Sequence, residues 1–311
     1  MYPVEAHPIN ARHASRTPPG RDRRSLKPRV KGLVRLTAFA CCGLVAAFAC
    51  CGLSTAIATA SQLYQRDMTI QYGPLEGQVA DVCKPLIPFR VHSGILLIHG
   101  GGWVGGDKAA YSKRCQDFAK AGYVVVNINY RLADGTLNHA WPAALDDAHL
   151  ALAWMRKNAV SLSLKQQRIA VLGDSSGGQL AVFLALNGHN SGIKCAVEES
   201  GPIDLLTTPS FVKAISPYVF MPQHTQATYR SASPVFAIDA DTAPIMIVHG
   251  RDDPLVPFSQ AEELLAALLK QNVVVTFAPY NGGHVMHDTA EAEKTRIMAL
   301  ETSYLTSCLR K

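Results

Sequence analysis

The hexapeptide Gly173-Asp174-Ser175-Ser176-Gly177-Gly178 sets a serine in a Gly-x-Ser-x-Gly pattern, directly after the apolar run Ile169–Leu172 and at the start of a helical pattern. That strand–turn–helix context holds a serine in a strained backbone conformation, with close neighbours on either side and Oγ exposed at the tip of a sheet. The pattern alone arises in roughly one chain of this size in ten, so the setting carries the reading. A serine hydroxyl attacks a carbonyl carbon only when a base takes its proton. A histidine oriented by a carboxylate is therefore expected downstream, in the order Ser, Asp, His.

Both follow. The apolar run Ile245–Val248 leads into His249-Gly250-Arg251-Asp252-Asp253-Pro254-Leu255-Val256-Pro257, where a carboxylate leaves the end of a strand. The run Val273–Phe277 leads into Asn281-Gly282-Gly283-His284, a glycine-rich loop bearing an imidazole. Ser175, Asp253 and His284 are the candidate catalytic residues; Asp252 and His287 are the nearest rivals for the acid and the base. Each downstream residue taken singly reads as a turn former or a surface histidine. Their order behind Ser175 is what selects the catalytic reading.

Upstream, the run Ile95–Ile98 ends in His99-Gly100-Gly101-Gly102-Trp103. Successive glycines let backbone N–H groups come within hydrogen-bond distance of a substrate oxygen without obstruction by side chains. Gly101 and Gly102 are the expected oxyanion donors, with the amide of Ser176 as a further one. His99 and Gly100 are expected to brace this loop and Trp103 to wall the pocket. Asp107, Tyr130, Arg131 and Asp147 are expected supports. The side chain of Asp174, preceding the serine, is expected to point away from the reacting centre.

These residues must be brought together by an alternation of short apolar runs and helical patterns. Strands are expected at Ile95–Ile98, Tyr123–Ile128, Ile169–Leu172, Ala196–Glu199, Ile245–Val248 and Val273–Phe277, and helices at Ala109–Ala121, Pro142–Asn158, Gly178–Asn187, Ser259–Lys270 and Ala290–Cys308. Near-continuous apolar strands separated by helices specify an α/β fold, with a mostly parallel central sheet covered on both faces. All the candidate residues follow strands, and chemistry in such sheets gathers at the carboxyl edge. Gly201–Ala243, with five prolines among aromatic residues, breaks the alternation and reads as a short irregular insertion able to overhang the site as a lid.

With 311 residues of which 48% are hydrophobic, the chain can bury one large core. The formal charge of +6 is uneven: residues 1–60 hold nine Lys or Arg against Glu5 and Asp22, leaving 21 basic against 22 acidic residues in 61–311. A nucleic-acid partner therefore loses its electrostatic footprint. The basic leader runs into Leu36–Leu53, apolar and uncharged, and then Ala58-Thr59-Ala60. The order basic, apolar, small is that of a signal peptide cleaved near Ala60, which places the protein outside the cytoplasm, periplasmic or secreted. The alternative is a membrane anchor formed by residues 36–53, the only expected membrane contact. Residues 61–311 are then the single α/β domain. Cys83, Cys115, Cys195 and Cys308 read either as two disulfides of an oxidising compartment, in any of three pairings, or as four buried thiols. No metal-ligand spacing is present.

The segments HGGGW with GDK (His99–Lys108), NYRL (Asn129–Leu132), PAALDD (Pro142–Asp147), GDSSGG (Gly173–Gly178), HGRDDPLVP (His249–Pro257) and GGH (Gly282–His284) resemble those of α/β-hydrolase carboxylesterases grouped with bacterial feruloyl esterases. Those enzymes neighbour the hormone-sensitive-lipase-like esterases and kynurenine formamidase. The resemblance runs from about Asp67 to the C-terminus. It implies hydrolysis of a small-molecule carboxylic ester through an acyl-serine, with no metal or organic cofactor, and it selects Asp253 over Asp252 as the acid. Ser176 stands where these enzymes usually have Ala, a change expected to alter pocket polarity while sparing the backbone donor. Asp134 replaces the proline of the hormone-sensitive-lipase-like YRLAP segment. An amidase or arylformamidase on the same three residues, or a non-catalytic binding protein on the same scaffold, are the competing readings.

Overall fold

The computed structural model describes residues 64–86, 92–186, 188–207, 210–222 and 224–310. The expected leader, its cleavage point and the apolar segment 36–53 lie outside the described residues. Eight strands form one sheet: β1 (Tyr64–Gln71), β2 (Val79–Pro85), β3 (His92–Ile98), β4 (Val124–Ile128), β5 (Leu164–Asp174), β6 (Ile193–Glu199), β7 (Ile245–Gly250) and β8 (Val275–Tyr280). Their spatial order is β1-β2-β4-β3-β5-β6-β7-β8. The pairs from β4 through β8 are parallel, whereas β1 with β2 and β2 with β4 are antiparallel.

All six expected strands are present. Ile95, Leu96, Leu97 and Ile98 are fully buried, as are Val124, Val125 and Val126; residues covered on both faces need no polar alternation, which is why these strands appear as unbroken apolar runs. The sequence reading missed β1 and β2. The exposed residues of β1 include Thr69 and Gln71, and β2 mixes Asp81 and Lys84 with Ala80 and Val82, so neither gives a continuous apolar signal. Pairing with a neighbouring strand, rather than local pattern, makes them strands.

The helices are α1 (Ser112–Lys120), α2 (Ala143–Lys157), α3 (Ser176–Ala185), α4 (Gly188–Ser191), α5 (Ser210–Val219), α6 (Gln226–Ser231), α7 (Ser259–Lys270) and α8 (Glu291–Arg310). Residues of α2, α3 and α7 join one buried apolar cluster and residues of α1 and α8 the other, so both faces of the sheet are covered. Helix α7 begins at Ser259 as expected, and Phe258 occupies its cap position without a side-chain hydrogen bond. Within the expected irregular stretch, α5 and α6 have formed, and Ile215 of α5 reaches the site described below.

Two disulfides tie helices to the sheet: Cys83 of β2 to Cys115 of α1, and Cys195 of β6 to Cys308 of α8. Of the readings left open by the sequence, the structure takes this one pairing. Among the described residues, no helix is long and apolar enough to cross a membrane.

Candidate active site

Parallel β3, β5, β7 and β8 all end at the same edge, and the loops leaving them converge. Ser175 lies at the junction of β5 and α3, with φ 51° and ψ −123°, a conformation L-residues avoid and tolerate only where surrounding structure imposes it. Its amide donates to the carbonyl of Glu199 on β6 at 2.7 Å. The tight turn also depends on Gly177: a Cβ there would stand 2.3 Å from the carbonyl oxygen of Ile98.

His284 follows β8 by four residues. Its Nε2 lies 3.0 Å from Ser175 Oγ, and its Nδ1 lies 2.7 Å from Oδ2 of Asp253, three residues beyond β7. The other carboxylate oxygen of Asp253, Oδ1, accepts the amides of Leu255 and Val256, each at 2.9 Å. Burial alone would raise the pKa of Asp253, but the hydrogen bonds from His284 and Val256 outweigh it and hold the carboxyl below its ordinary range. The loops carrying the two residues are joined directly, Asp252 N–H donating to Gly282 O at 3.1 Å and Arg251 N–H to Tyr280 O at 2.9 Å.

The structure therefore brings Ser175, His284 and Asp253 together and leaves the rivals aside. Asp252 and His287 sit on the rim of the cavity, and both are exposed.

Gly101 and Gly102 line the cavity beside Ser175. Gly101 has φ 126°, and a Cβ there would fall 2.1 Å from Gly105 O, so both its backbone conformation and its packing require glycine. Ser176 opens α3, so its amide is one of the N–H groups at a helix start that lack an intrahelical acceptor. The side chain of Ser176 is buried beside the Tyr130 hydroxyl, 3.3 Å away, and does not line the cavity. Contrary to the expectation, serine in place of alanine at 176 therefore leaves the polarity of the cavity wall unchanged.

The supports of the loop are more specific than the sequence suggested. His99 Nδ1 pairs with Gly100 O at 2.7 Å, the ring stacks on Tyr130 at 4.4 Å, and burial lowers its pKa. Gly100 N–H donates to Asp174 Oδ1 at 3.0 Å, and the Tyr111 hydroxyl donates to the same oxygen. Asp174 thus turns toward the loop rather than toward His284, although it also lines the cavity; burial, then the neighbouring Glu199, push its pKa up to about 6. Trp103 does not wall the pocket as expected. It is 1% exposed, donates from Nε1 to Gln179 Oε1 at 3.2 Å and packs edge-on to Phe220. A large indole at the base of the loop is driven inward by the apolar area it buries.

Asp107 caps the turn after the loop by accepting from Ala109 N–H at 2.7 Å, and Arg131 is clamped by Asp147 through Nη2 at 2.7 Å and Nε at 3.0 Å.

Sequence reasoning missed His249, Tyr111, Arg114, Glu199 and Glu301. His249 is fully buried, with Nε2 pairing to Val256 O at 2.8 Å and lying 3.5 Å from Asp253 Oδ2. Arg114 of α1 bridges Glu199 on β6 and Glu301 on α8 beneath the serine turn. One signal was available: Glu198-Glu199 are adjacent carboxylates directly following the buried apolar run Cys195–Val197, and buried charges require partners.

The cavity above these residues has a volume of about 900 Å³ and apolar walls that include Val104, Ile215, Pro254, Leu255 and Val285. Among the described residues, no cluster of three His, Cys, Asp or Glu is placed to hold a metal ion.

A mostly parallel eight-stranded sheet carrying a hydrogen-bonded Ser–His–Asp array and a glycine loop at its carboxyl edge defines an α/β hydrolase. Residues 90–268 match the BD-FAE family, and the chain belongs to it. Among curated proteins it is 24% identical to Esterase LipQ of Mycobacterium tuberculosis over 252 residues, covering 74% of this chain and 59% of that protein. It is 29% identical over 208 residues to the carboxylic ester hydrolase LipM of the same organism, covering 60% and 48%. The chain thus spans about half the length of the curated relatives it matches. Among solved structures, a truncated carbohydrate esterase from gut microbiota superposes with a TM-score of 0.70 at 22% identity, covering 79% of this chain and 97% of that one. Esterase 2 of Thermogutta terrifontis with bound butyrate superposes with a TM-score of 0.64 at 22% identity, covering 77% and 93%.

Proposed function

We propose that the protein hydrolyses carboxylic esters of small molecules through an acyl-serine. The observation that carries this reading is the continuous chain Ser175 Oγ, His284, Asp253, at 3.0 and 2.7 Å, opening into an apolar cavity. As Ser175 Oγ bonds to the carbonyl carbon, His284 Nε2 takes the hydroxyl proton and the carbonyl electron pair moves onto oxygen. The amides of Gly101, Gly102 and Ser176 receive that oxyanion, each such donor typically contributing about 3 kcal/mol. The imidazolium, steadied by Asp253, passes its proton to the departing alkoxide as the C–O bond breaks. Water then repeats the sequence, leaving the free acid and the regenerated serine.

Hydrolysis of p-nitrophenyl acetate by the wild type and its loss in Ser175→Ala tests the proposal; full activity in that variant overturns it. The same array would attack an amide, and a parallel assay on N-formylkynurenine separates ester from formamide preference. The esterase names of the matched relatives favour the ester.

Export is inferred from the order of the N-terminal segments, with cleavage near Ala60 or retention through residues 36–53. The two disulfides are in keeping with an oxidising compartment. The near-neutral charge of residues 61–311 gives no support to a nucleic-acid partner.

A further inference from the structure

The two loops that deliver Asp253 and His284 each also deliver a carboxylate to the mouth of the cavity. Asp252 immediately precedes Asp253 after β7, and Asp288 follows His284 by four residues after β8; both line the cavity and both are exposed. Asp174 adds a third carboxylate deeper in, directed at the Gly100 amide. Against these, no lysine or arginine is among the described residues lining the cavity; the remaining titratable groups there are His284 and His287. Arg251, the cation next to Asp252 in sequence, turns its guanidinium onto the ring of Phe258, 5.0 Å from the centroid. The cavity is therefore an apolar chamber beneath an acidic rim.

Resting on the esterase reading, we propose that the site selects its ester by charge: it takes esters with a neutral or cationic substituent and rejects anionic ones, with Asp252 and Asp288 as the specificity-determining residues. The physical basis is direct. A charge carried by a substrate at the rim lies within about one Debye length, roughly 8 Å at physiological salt, of a carboxylate on the same rim, where screening is incomplete. Low-dielectric walls on the protein side strengthen that field relative to bulk water. At low ionic strength, two such carboxylates acting together are worth on the order of tenfold between a cationic and a neutral substrate, and a similar factor against an anion. Neither residue touches the reacting atoms, so rates on neutral esters do not depend on them. The volume of about 900 Å³ accommodates a branched acyl chain, so shape does not pre-empt the charge discrimination.

The test uses three p-nitrophenyl esters of equal acyl length: 5,5-dimethylhexanoate, its cationic isostere 4-(trimethylammonio)butanoate, and hemiglutarate. Each kcat/KM is normalised to that ester's own rate with hydroxide. The wild type is expected to favour the cation over its neutral isostere about tenfold at low ionic strength, to disfavour the anion by a similar factor, and to lose both preferences as salt is raised. The double variant Asp252→Asn with Asp288→Asn is expected to bring all three ratios near one while leaving the neutral ester unchanged. Equal normalised rates in the wild type, a preference for the anion, or a preference that survives in the double variant overturns the proposal. Failure of the esterase reading looks different: no ester is turned over, or turnover persists in Ser175→Ala.

Discussion

Oδ2 of Asp253 lies 2.7 Å from Nδ1 of His284 while its Oδ1 is held by two backbone amides. The carboxylate is thereby fixed on one side and free to orient the imidazole on the other. An Asp253→Asn protein keeps an oxygen for the amides but presents an NH₂ group to His284, placing the imidazole proton on Nε2, where it faces Ser175 and cannot receive another. On p-nitrophenyl acetate, kcat is expected to fall on the order of 10⁴-fold with little change in KM. Asp252→Asn is expected to stay within about threefold of wild type, as its carboxylate makes no part of this chain of contacts.

The grip of Asp174 on Gly100 gives a second expectation. Removing the carboxylate in Asp174→Ala frees an amide at the root of the glycine loop and strands the Tyr111 hydroxyl, so the loop proposed to receive the oxyanion is expected to lose its fixed position. A fall of roughly 10- to 100-fold in kcat with KM nearly constant is expected, since the loop acts on the transition state more than on the bound ester. Tyr111→Phe, which leaves Asp174 in place, should cost less.

Strain at Ser175 separates stability from catalysis. At φ 51° a side chain is unfavourable, so Ser175→Gly relieves what Ser175→Ala retains. Both proteins are expected to be inactive, and the glycine variant is expected to be more stable by about 1 kcal/mol after its larger unfolded-state entropy is counted, or roughly 2–4 °C in Tm. Calorimetry of the two side by side checks it.

Glu198 is fully buried, accepts the Gly201 amide with one oxygen and, among the described residues, has no hydrogen-bond partner for Oε2. Burial pushes its pKa up to about 8, so the folded protein binds a proton there that the unfolded chain has released above about pH 4.5. Stability contributed by this group is complete below about pH 4.5 and is lost as pH rises to about 8. Glu198→Gln, which carries no charge, should therefore gain on wild type by a few kcal/mol between pH 5 and pH 9 in urea unfolding, with most of the change complete by about pH 8. A constant difference across that range would contradict the assignment.

Cys195 and Cys308 close a loop of 113 residues, and Cys83 and Cys115 one of 32. A cross-link that spans more chain removes more unfolded-state entropy. Replacing the pair Cys195 and Cys308 by alanine is expected to cost about 2–5 kcal/mol, and replacing Cys83 and Cys115 less. Thermal unfolding with and without reductant reads both.

How far the chemistry was legible varied with the distance over which it is encoded. The serine turn, the glycine loop, and the carboxylate and histidine that leave β7 and β8 are each spelled within a few consecutive residues, because a sharp turn or a close backbone approach demands particular residue types at particular spacings. The six apolar strands were equally plain, since burial on both faces leaves no room for polar side chains. By contrast, Trp103 turned inward to Gln179, 76 positions away in the chain, and Ser176 turned to Tyr130; a side chain's direction depends on what else packs there. β1, at the sheet edge, and β2, beside it, also escaped, being defined by their partners.

From the sequence alone came the parallel α/β architecture and three reactive side chains in their order, because local propensity and hydrophobic pattern act between neighbours. Only the tertiary structure brought Asp253 and His284 into contact with Ser175, decided which cysteines pair, and placed Arg114, Glu199 and Glu301 together beneath the turn. Those contacts join segments up to 187 residues apart, and they exist only once the sheet has stacked its strand ends at one edge.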